Sequence, residues 1–178
     1  MFDWLNSRLA GKTAADTLYG EIVSAARAPK FYRDWGVPDT VEGRFEMIAL
    51  HLALALDRLS VEGEAGQALG RAVTEACIVD LDDNMREIGI GDLAVPRKIK
   101  KAAAALFDRH RDITAALAAT DSVPLQAALQ RDIGALPGAV QFNARALANY
   151  SYEQRHALAN VAREACLNGT LSLQRPTV

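Results

Sequence analysis

The 178-residue chain has few aromatic residues, although half of its residues are hydrophobic. Aromatic residues make up only 6% of the chain, whereas alanine is abundant. This composition is atypical of a β-sandwich, whose strands favour aromatic and β-branched residues, and it favours helices that pack closely through small side chains. The length is close to that of one ordinary domain. We therefore expect an all-α fold in which residues 1–178 form a single helical bundle of about six to eight helices.

Cysteines and long hydrophobic runs are also scarce. Cys77 and Cys166 form no C-x-x-C motif, which predicts buried free thiols and a reducing compartment. The longest apolar run, residues 48–56, is far shorter than the roughly 20 residues that span a bilayer. Asp3 occupies a position where a secretory signal would carry basic residues, and no apolar signal core follows it. These features predict a cytoplasmic protein.

Both ends of the chain show weak patterns. Residues 1–12 predict a short amphipathic segment that either docks on the core of the protein or touches a membrane or partner. We expect residues 170–178 to form a loosely held tail.

Motifs for catalysis and for metal or nucleotide binding are missing. None of the three histidines has an H-E-x-x-H or E-x-x-H partner, and no G-K-[ST] sequence occurs. Residues 80–84 begin like a calcium-binding loop, but Met85 stands where that loop needs glycine and Gly91 where it needs glutamate. We therefore expect no catalytic residue, no metal and no cofactor. A net charge of -2 gives no global attraction for DNA, so an anionic partner would need a local basic patch.

Apolar periodicity predicts the helices. Helical spacing favours helices over about 13–28, 39–59, 67–88 and 97–111, followed by shorter ones over 122–133, 140–148 and 151–167. Asp39 with Glu42, and Ser151 with Gln154, have the spacing of a capping box at a helix start. His51 lies among apolar residues and is expected to be a hydrogen-bonded core histidine. Residues 31–38 predict an ordered loop, in which Tyr32 and Trp35 either close the end of the core or anchor a partner.

Residues 80–101 hold the densest set of charged side chains in the chain. An acidic cluster surrounds a Gly-x-Gly hinge at Gly89 and Gly91, with Asp92 just after the hinge, and a basic cluster follows it. The acidic cluster consists of Asp80, Asp82, Asp83, Glu87 and Asp92, and the basic cluster of Arg97, Lys98, Lys100 and Lys101. Asp82 and Arg86 are spaced to pair on one helix.

The basic cluster occupies the first turn of a predicted helix, where cations oppose the helix dipole. This placement leaves three interpretations: the cluster is a solvated face, it pairs with the acidic cluster, or it faces an anionic partner such as RNA or lipid headgroups.

A series of short motifs extends from about Tyr19 to Arg111. They are Phe31-Tyr32, Gly36-Val37-Pro38-Asp39-Thr40, Arg44-Phe45-Glu46-Met47, Leu50-His51, Arg58-Leu59, Asp82, Met85-Arg86-Glu87, Gly89-Ile90-Gly91-Asp92, Val95, Lys98 and Lys101. Together they resemble the ubiquinol-cytochrome c chaperone family, the assembly factors of the cytochrome bc complex (complex III). The chain departs from the family after Phe107, where Asp108 and Arg109 replace an expected aromatic residue and glycine.

The resemblance implies a helical, non-enzymatic factor that binds newly made cytochrome b. In mitochondrial relatives such a factor acts with a small partner protein near the ribosomal exit. We expect a bacterial member, peripheral to the cytoplasmic side of the inner membrane, whose need for a small partner stays open.

On this interpretation an apolar groove binds a hydrophobic segment of the client protein. Met47, Leu50 and Leu54 would line that groove if they are exposed. A charged patch, formed by Asp82, Arg86, Glu87, Asp92 and the basic cluster, would orient the client, the ribosome or lipid headgroups. The alternative is a generic helical interaction protein, or an RNA- or ribosome-associated protein, whose basic cluster binds phosphates.

Overall fold

The computed structural model describes the backbone of residues 3–87 and 94–176 and the side chains of residues 13–87 and 94–176. These residues form helices without any strand, which confirms the expected all-α bundle. The helices are α1 (Asp3–Ala26), α2 (Pro29–Arg33), α3 (Val41–Ser60), α4 (Gly63–Glu87), α5 (Val95–Leu117), α6 (Val123–Asp132), α7 (Ala144–Ala159) and α8 (Arg163–Leu167).

Helix α3 is the centre of the bundle. It packs against α1, α4, α5 and α7, so that apolar residues on nearly all of its sides are buried. This arrangement follows from its two apolar stripes, because a helix that is apolar on opposite sides must be covered on both. Thr40 rather than Asp39 caps α3, since the Thr40 hydroxyl accepts a hydrogen bond from the Gly43 amide at 3.1 Å. Asp39 instead pairs with Arg44 at 2.7 Å.

Several helix boundaries differ from the sequence prediction. Helix α4 begins at Gly63 rather than near residue 67, α5 continues to Leu117, and residues 29–33 form a short helix where a loop was expected. The predicted break near residue 151 is absent, because Ser151 and Gln154 lie inside α7. Both side chains are buried there. The Ser151 hydroxyl donates to the Leu147 backbone carbonyl at 2.8 Å, and the Gln154 side-chain oxygen Oε1 accepts from the Gln174 amide at 2.9 Å, so neither side chain serves as a cap.

The expectation of a loosely held tail is wrong for residues 170–176, which we call the C-terminal strap. Leu171 is 1% exposed, and the Glu21 carboxylate on α1 accepts hydrogen bonds from the Leu171 and Ser172 amides at 3.1 and 2.9 Å. The Tyr150 hydroxyl on α7 lies 2.8 Å from the Gln174 carbonyl oxygen. The strap therefore joins the first helix to the seventh through polar contacts and the buried Leu171 side chain, and partners this distant in the sequence leave no local signal.

The aromatic residues of the first half close one end of the core. Phe31 is fully buried, and its ring centroid lies 5.3, 5.6 and 5.1 Å from those of Trp35, His51 and Tyr150. We call these four residues the aromatic cluster. Tyr32 is half-buried and donates from its hydroxyl to the Ala26 carbonyl at 2.8 Å. Tyr32 and the half-buried Trp35 thus pack on the core, which favours the structural interpretation of both over partner anchors.

His51 is a hydrogen-bonded core histidine, as predicted. Its ring is fully buried, with Nδ1 2.7 Å from the Met47 carbonyl oxygen and Nε2 2.8 Å from the Tyr150 hydroxyl oxygen. Burial lowers the pKa of His51 to about 4, against the opposing effect of the Met47 carbonyl. Cys77 and Cys166 are free and buried, also as predicted, and burial raises the pKa of Cys77 to about 11.

Candidate interaction surface

An apolar groove of about 420 Å³ lies where α3, α4 and α5 meet. Small residues line part of it, namely Ala49 and Ala53 on α3 and Gly66 and Gly70 on α4. Its other lining residues are Leu52, Leu56, Leu59 and Ser60 on α3, Gln67, Arg71, Thr74, Glu75 and Ile78 on α4, and Leu106, Phe107 and His110 on α5. We call this feature the α3–α5 groove.

Phe107 marks the rim of the α3–α5 groove. Its side chain is 61% exposed, and the other strongly exposed large hydrophobic residues in the described part of the chain are all valines. An exposed aromatic ring beside an apolar groove is a common feature of protein-binding surfaces. Lys100, two helical turns before Phe107, lies on the same side of α5 because seven residues make nearly two full turns. One side of α5 therefore carries both an apolar and a cationic group.

Met47, Leu50 and Leu54 do not form the groove that was expected of them. They are 0%, 1% and 1% exposed, because this stripe of α3 faces the interior of the bundle. The apolar stripe that includes Leu52 and Leu56 borders the groove instead. The sequence showed both stripes, but periodicity alone does not tell which of two apolar stripes a neighbouring helix leaves open.

The acidic side of α4 is partly engaged within the protein. Asp82 pairs with Arg86 at 2.8 Å, as the four-residue spacing predicted, and Asp80 accepts a hydrogen bond from the Tyr19 hydroxyl of α1 at 2.8 Å. Asp83 and Glu87 are exposed. Gly89, Gly91 and Asp92 lie outside the described residues.

The basic cluster at the start of α5 is exposed on all four side chains. Within residues 13–87 and 94–176, no carboxylate lies within ion-pair distance of Arg97, Lys98, Lys100 or Lys101. The described part of the acidic cluster therefore does not neutralise the basic cluster. Pro96 lies in the first turn of α5, near the helix start as predicted. Amides in the first turn have no acceptor within the helix, so the missing amide hydrogen of proline costs nothing there.

The groups with shifted pKa values lie in structural contacts rather than around a reaction centre. Burial, together with nearby Cys77 and Asp80, raises the pKa of Tyr19. Burial raises the pKa of Glu46 against the effect of its partner Arg109. Among residues whose side chains are described, every buried polar side-chain atom has a hydrogen-bond partner and no three potential ligands gather to hold a metal ion. These groups thus contribute to the packing of the bundle.

The sequence reasoning missed the residues that build the α3–α5 groove. Gly66 and Gly70 are four residues apart on α4, and this spacing is the signal that could have shown a close helix contact. Phe107 could have been found as an aromatic residue on the polar side of α5.

No helix within residues 3–87 and 94–176 combines the length and apolarity needed to cross a membrane.

Residues 33–173 match the model of the family described as ubiquinol-cytochrome C chaperone. This match continues well beyond Arg111, where the sequence motifs become sparse. The chain is similar to the crystal structure of the Cbp3 homolog from Brucella abortus, with 37% sequence identity and a TM-score of 0.84 over 98% of this chain and 97% of that one. None of the curated proteins matches the chain.

Proposed function

Because the chain belongs to the ubiquinol-cytochrome c chaperone family, we propose that it binds newly made cytochrome b and holds it for assembly into the ubiquinol-cytochrome c reductase complex. It acts without catalysing a reaction, at the cytoplasmic face of the membrane and peripheral to it. The observation that carries this proposal is the α3–α5 groove with Phe107 at its rim, beside a basic cluster that has no ion-pair partner among the described residues.

The size of the groove limits how much of the client it can hold. A volume of about 420 Å³ is in the range of pockets that hold a small molecule or a few side chains, and it is too small for a whole membrane span. Each large apolar side chain buried in such a site contributes roughly 1.5–3 kcal/mol before the cost of ordering. Burial of two or three client side chains would therefore give reversible binding, which suits a chaperone that must release its client.

The basic cluster supplies orientation. Exposed cations act over about 8 Å at physiological ionic strength, so they influence approach and register more than final affinity. Arg97, Lys98, Lys100 and Lys101 would meet acidic loops of the client or lipid headgroups, while the exposed Asp83 and Glu87 would disfavour the opposite orientation.

The proposal is tested in a strain that lacks the gene and carries a plasmid copy of either the wild-type chain or a variant. We expect the wild-type copy to restore haem-containing cytochrome b in membranes, and the affinity-purified chain to carry cytochrome b with it. Undiminished cytochrome b in the deletion strain would contradict the proposal. A chain with the exposed Arg145 of α7 changed to Ala provides a control that removes a cation outside the basic cluster.

A second function is favoured by the basic cluster alone, namely association with RNA or the ribosome. Replacing all four cations with alanine would then abolish salt-dependent RNA binding, while capture of cytochrome b stayed intact. The chaperone function is supported instead if the wild-type chain binds no RNA and the alanine variant captures less cytochrome b. The same purification shows whether a small partner subunit accompanies the chain.

A further inference from the structure

Tyr150 stands between two acceptors that compete for its single hydroxyl hydrogen. Its oxygen lies 2.8 Å from His51 Nε2 in the core and 2.8 Å from the Gln174 carbonyl oxygen on the C-terminal strap. The other ring nitrogen of His51, Nδ1, lies 2.7 Å from the Met47 carbonyl oxygen. Three short contacts therefore run in a chain from α3 through α7 to the strap.

A neutral His51 cannot supply enough hydrogens for all three contacts. A carbonyl oxygen only accepts, so the contact with Met47 places the ring hydrogen on Nδ1 and leaves Nε2 as an acceptor. The Tyr150 hydroxyl then donates either to Nε2 or to the Gln174 carbonyl, and one of these two acceptors goes without. Burial keeps His51 neutral near pH 7, because no charged side chain offsets the cost of placing a cation there.

The rest of the strap is held by a small number of polar contacts, one of which joins Arg175 to Ser24, and by Leu173, which is half-buried against the core. Glu21 binds the Leu171 and Ser172 amides, Gln154 binds the Gln174 amide, and Leu171 is the one strap residue that is buried. Ser172 has a φ of 56°, a left-handed conformation that a residue other than glycine adopts at a cost in free energy. The strained Ser172 and the incomplete hydrogen-bond chain thus reduce the free energy that holds the strap in its docked position.

We propose that the C-terminal strap is a releasable latch over the aromatic cluster, and that His51 weakens it by competing with the Gln174 carbonyl for the Tyr150 hydroxyl hydrogen. Release would uncover Tyr150 and the pocket of Leu171, while α3 and its contacts with α4 and α5 stay in place. This device is independent of the α3–α5 groove, since none of its residues lines that groove.

The surroundings of His51 define how a proton would act on the latch. Phe31 faces the ring from α2, Tyr150 faces it from α7, and Met47 precedes it on α3. The charged groups near the strap are Glu21 on α1 and Arg175 of the strap itself. A protonated His51 would donate from both nitrogens and leave the Tyr150 hydrogen to Gln174, whereas a protonated Glu21 would loosen the other end. Substitution is therefore a cleaner test than acidification.

The test measures hydrogen exchange of the Gln174 amide by NMR in the full chain near pH 7. In His51→Leu the competing acceptor is gone, so Tyr150 donates fully to the strap and Gln174 exchange slows by about fivefold, the factor for one neutral hydrogen bond. In Tyr150→Phe the strap loses that bond, and exchange of Gln174, Leu171 and Ser172 accelerates by a similar factor. Amides in the middle of α3 report global stability and serve as the internal control.

The double variant separates competition from packing. With Phe at position 150, changing His51 to Leu should no longer slow exchange of the Gln174 amide, because no hydroxyl hydrogen is left to release. Faster or unchanged exchange in His51→Leu would overturn the proposal. If His51→Leu does not fold, unchanged strap exchange in the nearly isosteric Tyr150→Phe variant would overturn it equally.

Discussion

Arg109 on α5 holds Glu46 on α3 in a bidentate ion pair, with Nε 2.8 Å from Oε2 and Nη2 3.0 Å from Oε1 of the carboxylate. Asp132 at the end of α6 lies 3.4 Å from the same guanidinium, so three helices meet at one side chain. The sequence resemblance led us to expect a glycine where Arg109 stands, and Glu46 belongs to one of the motifs that carry that resemblance. In this chain Arg109 has a structural role, because it holds the Glu46 carboxylate.

We predict that Arg109→Met lowers the free energy of unfolding by about 3 kcal/mol. Glu46 is 8% exposed, and loss of its partner would leave a buried carboxylate without compensation. Urea denaturation near pH 7 measures the change. Arg111→Met, which alters a side chain that is 70% exposed, is the matched control and should cost less than about 0.5 kcal/mol.

The difference in the free energy of unfolding between the wild type and Arg109→Met should become smaller as the pH falls. Burial already raises the pKa of Glu46 above its ordinary value, and removal of Arg109 raises it further. A raised carboxyl pKa means that the folded state binds a proton more tightly than the unfolded state, so lowering the pH stabilises the variant relative to the wild type. A deficit that grows on acidification would contradict this account.

Much of the bundle follows from the sequence. The long amphipathic stripes of α3, α4 and α5 predict those helices, and the four-residue spacing of Asp82 and Arg86 predicts their ion pair. Local rules succeed here because each feature depends on residues that are three or four positions apart.

The errors arose where distant residues determine the structure. Ser151 and Gln154 carry the local signature of a helix start, yet the strap supplies a partner for Gln154 and α7 continues through both. Met47 and Leu52 belong to equally apolar stripes, and only the placement of α5 decides that the second one borders a groove. Neither outcome can be read from spacing along one helix.

Acid should destabilise the protein through His51. Its pKa is about 4 in the folded state, below its ordinary value of 6.5, so the unfolded chain binds a proton first. The contribution of His51 to stability is complete above about pH 6.5 and is lost as the pH falls towards 4, a loss of about 3 kcal/mol.

This pH dependence is checked by urea denaturation at a series of pH values between 4 and 7. In His51→Leu the part of the slope that comes from this histidine should disappear, and His156→Gln, which removes an exposed histidine, is the matched control. Parallel slopes in the wild type and His51→Leu would show that the buried ring does not govern acid stability.

Three glycines should respond differently to alanine. A Cβ at Gly66 would collide with the Leu59 carbonyl oxygen, so Gly66→Ala should cost about 2 kcal/mol or more. At Gly70 the nearest atom is the movable Cδ2 of Leu56 at 3.0 Å, and the better helix propensity of alanine, up to about 1 kcal/mol, should offset the crowding. Gly20 has no atom within 4 Å of a new Cβ, so Gly20→Ala should raise the free energy of unfolding by about 1 kcal/mol. The order of the three urea midpoints tests how closely α4 approaches α3. Equal effects at Gly66 and Gly70 would contradict the closer approach at Gly66.

Phe107→Ser should separate client binding from folding. The ring is 61% exposed, so its loss should change the free energy of unfolding by less than about 0.5 kcal/mol. If Phe107 anchors a client segment at the rim of the α3–α5 groove, its truncation should weaken binding at least about tenfold, as for other aromatic anchors at interfaces.

Binding is measured as the amount of cytochrome b, quantified by its haem absorbance, that the purified chain captures from solubilised membranes. Val79→Ser on α4 removes an equally exposed apolar side chain, at 59%, that does not line the groove. Equal capture by the two variants would show that the groove is not the binding site, because general surface apolarity would then explain any loss.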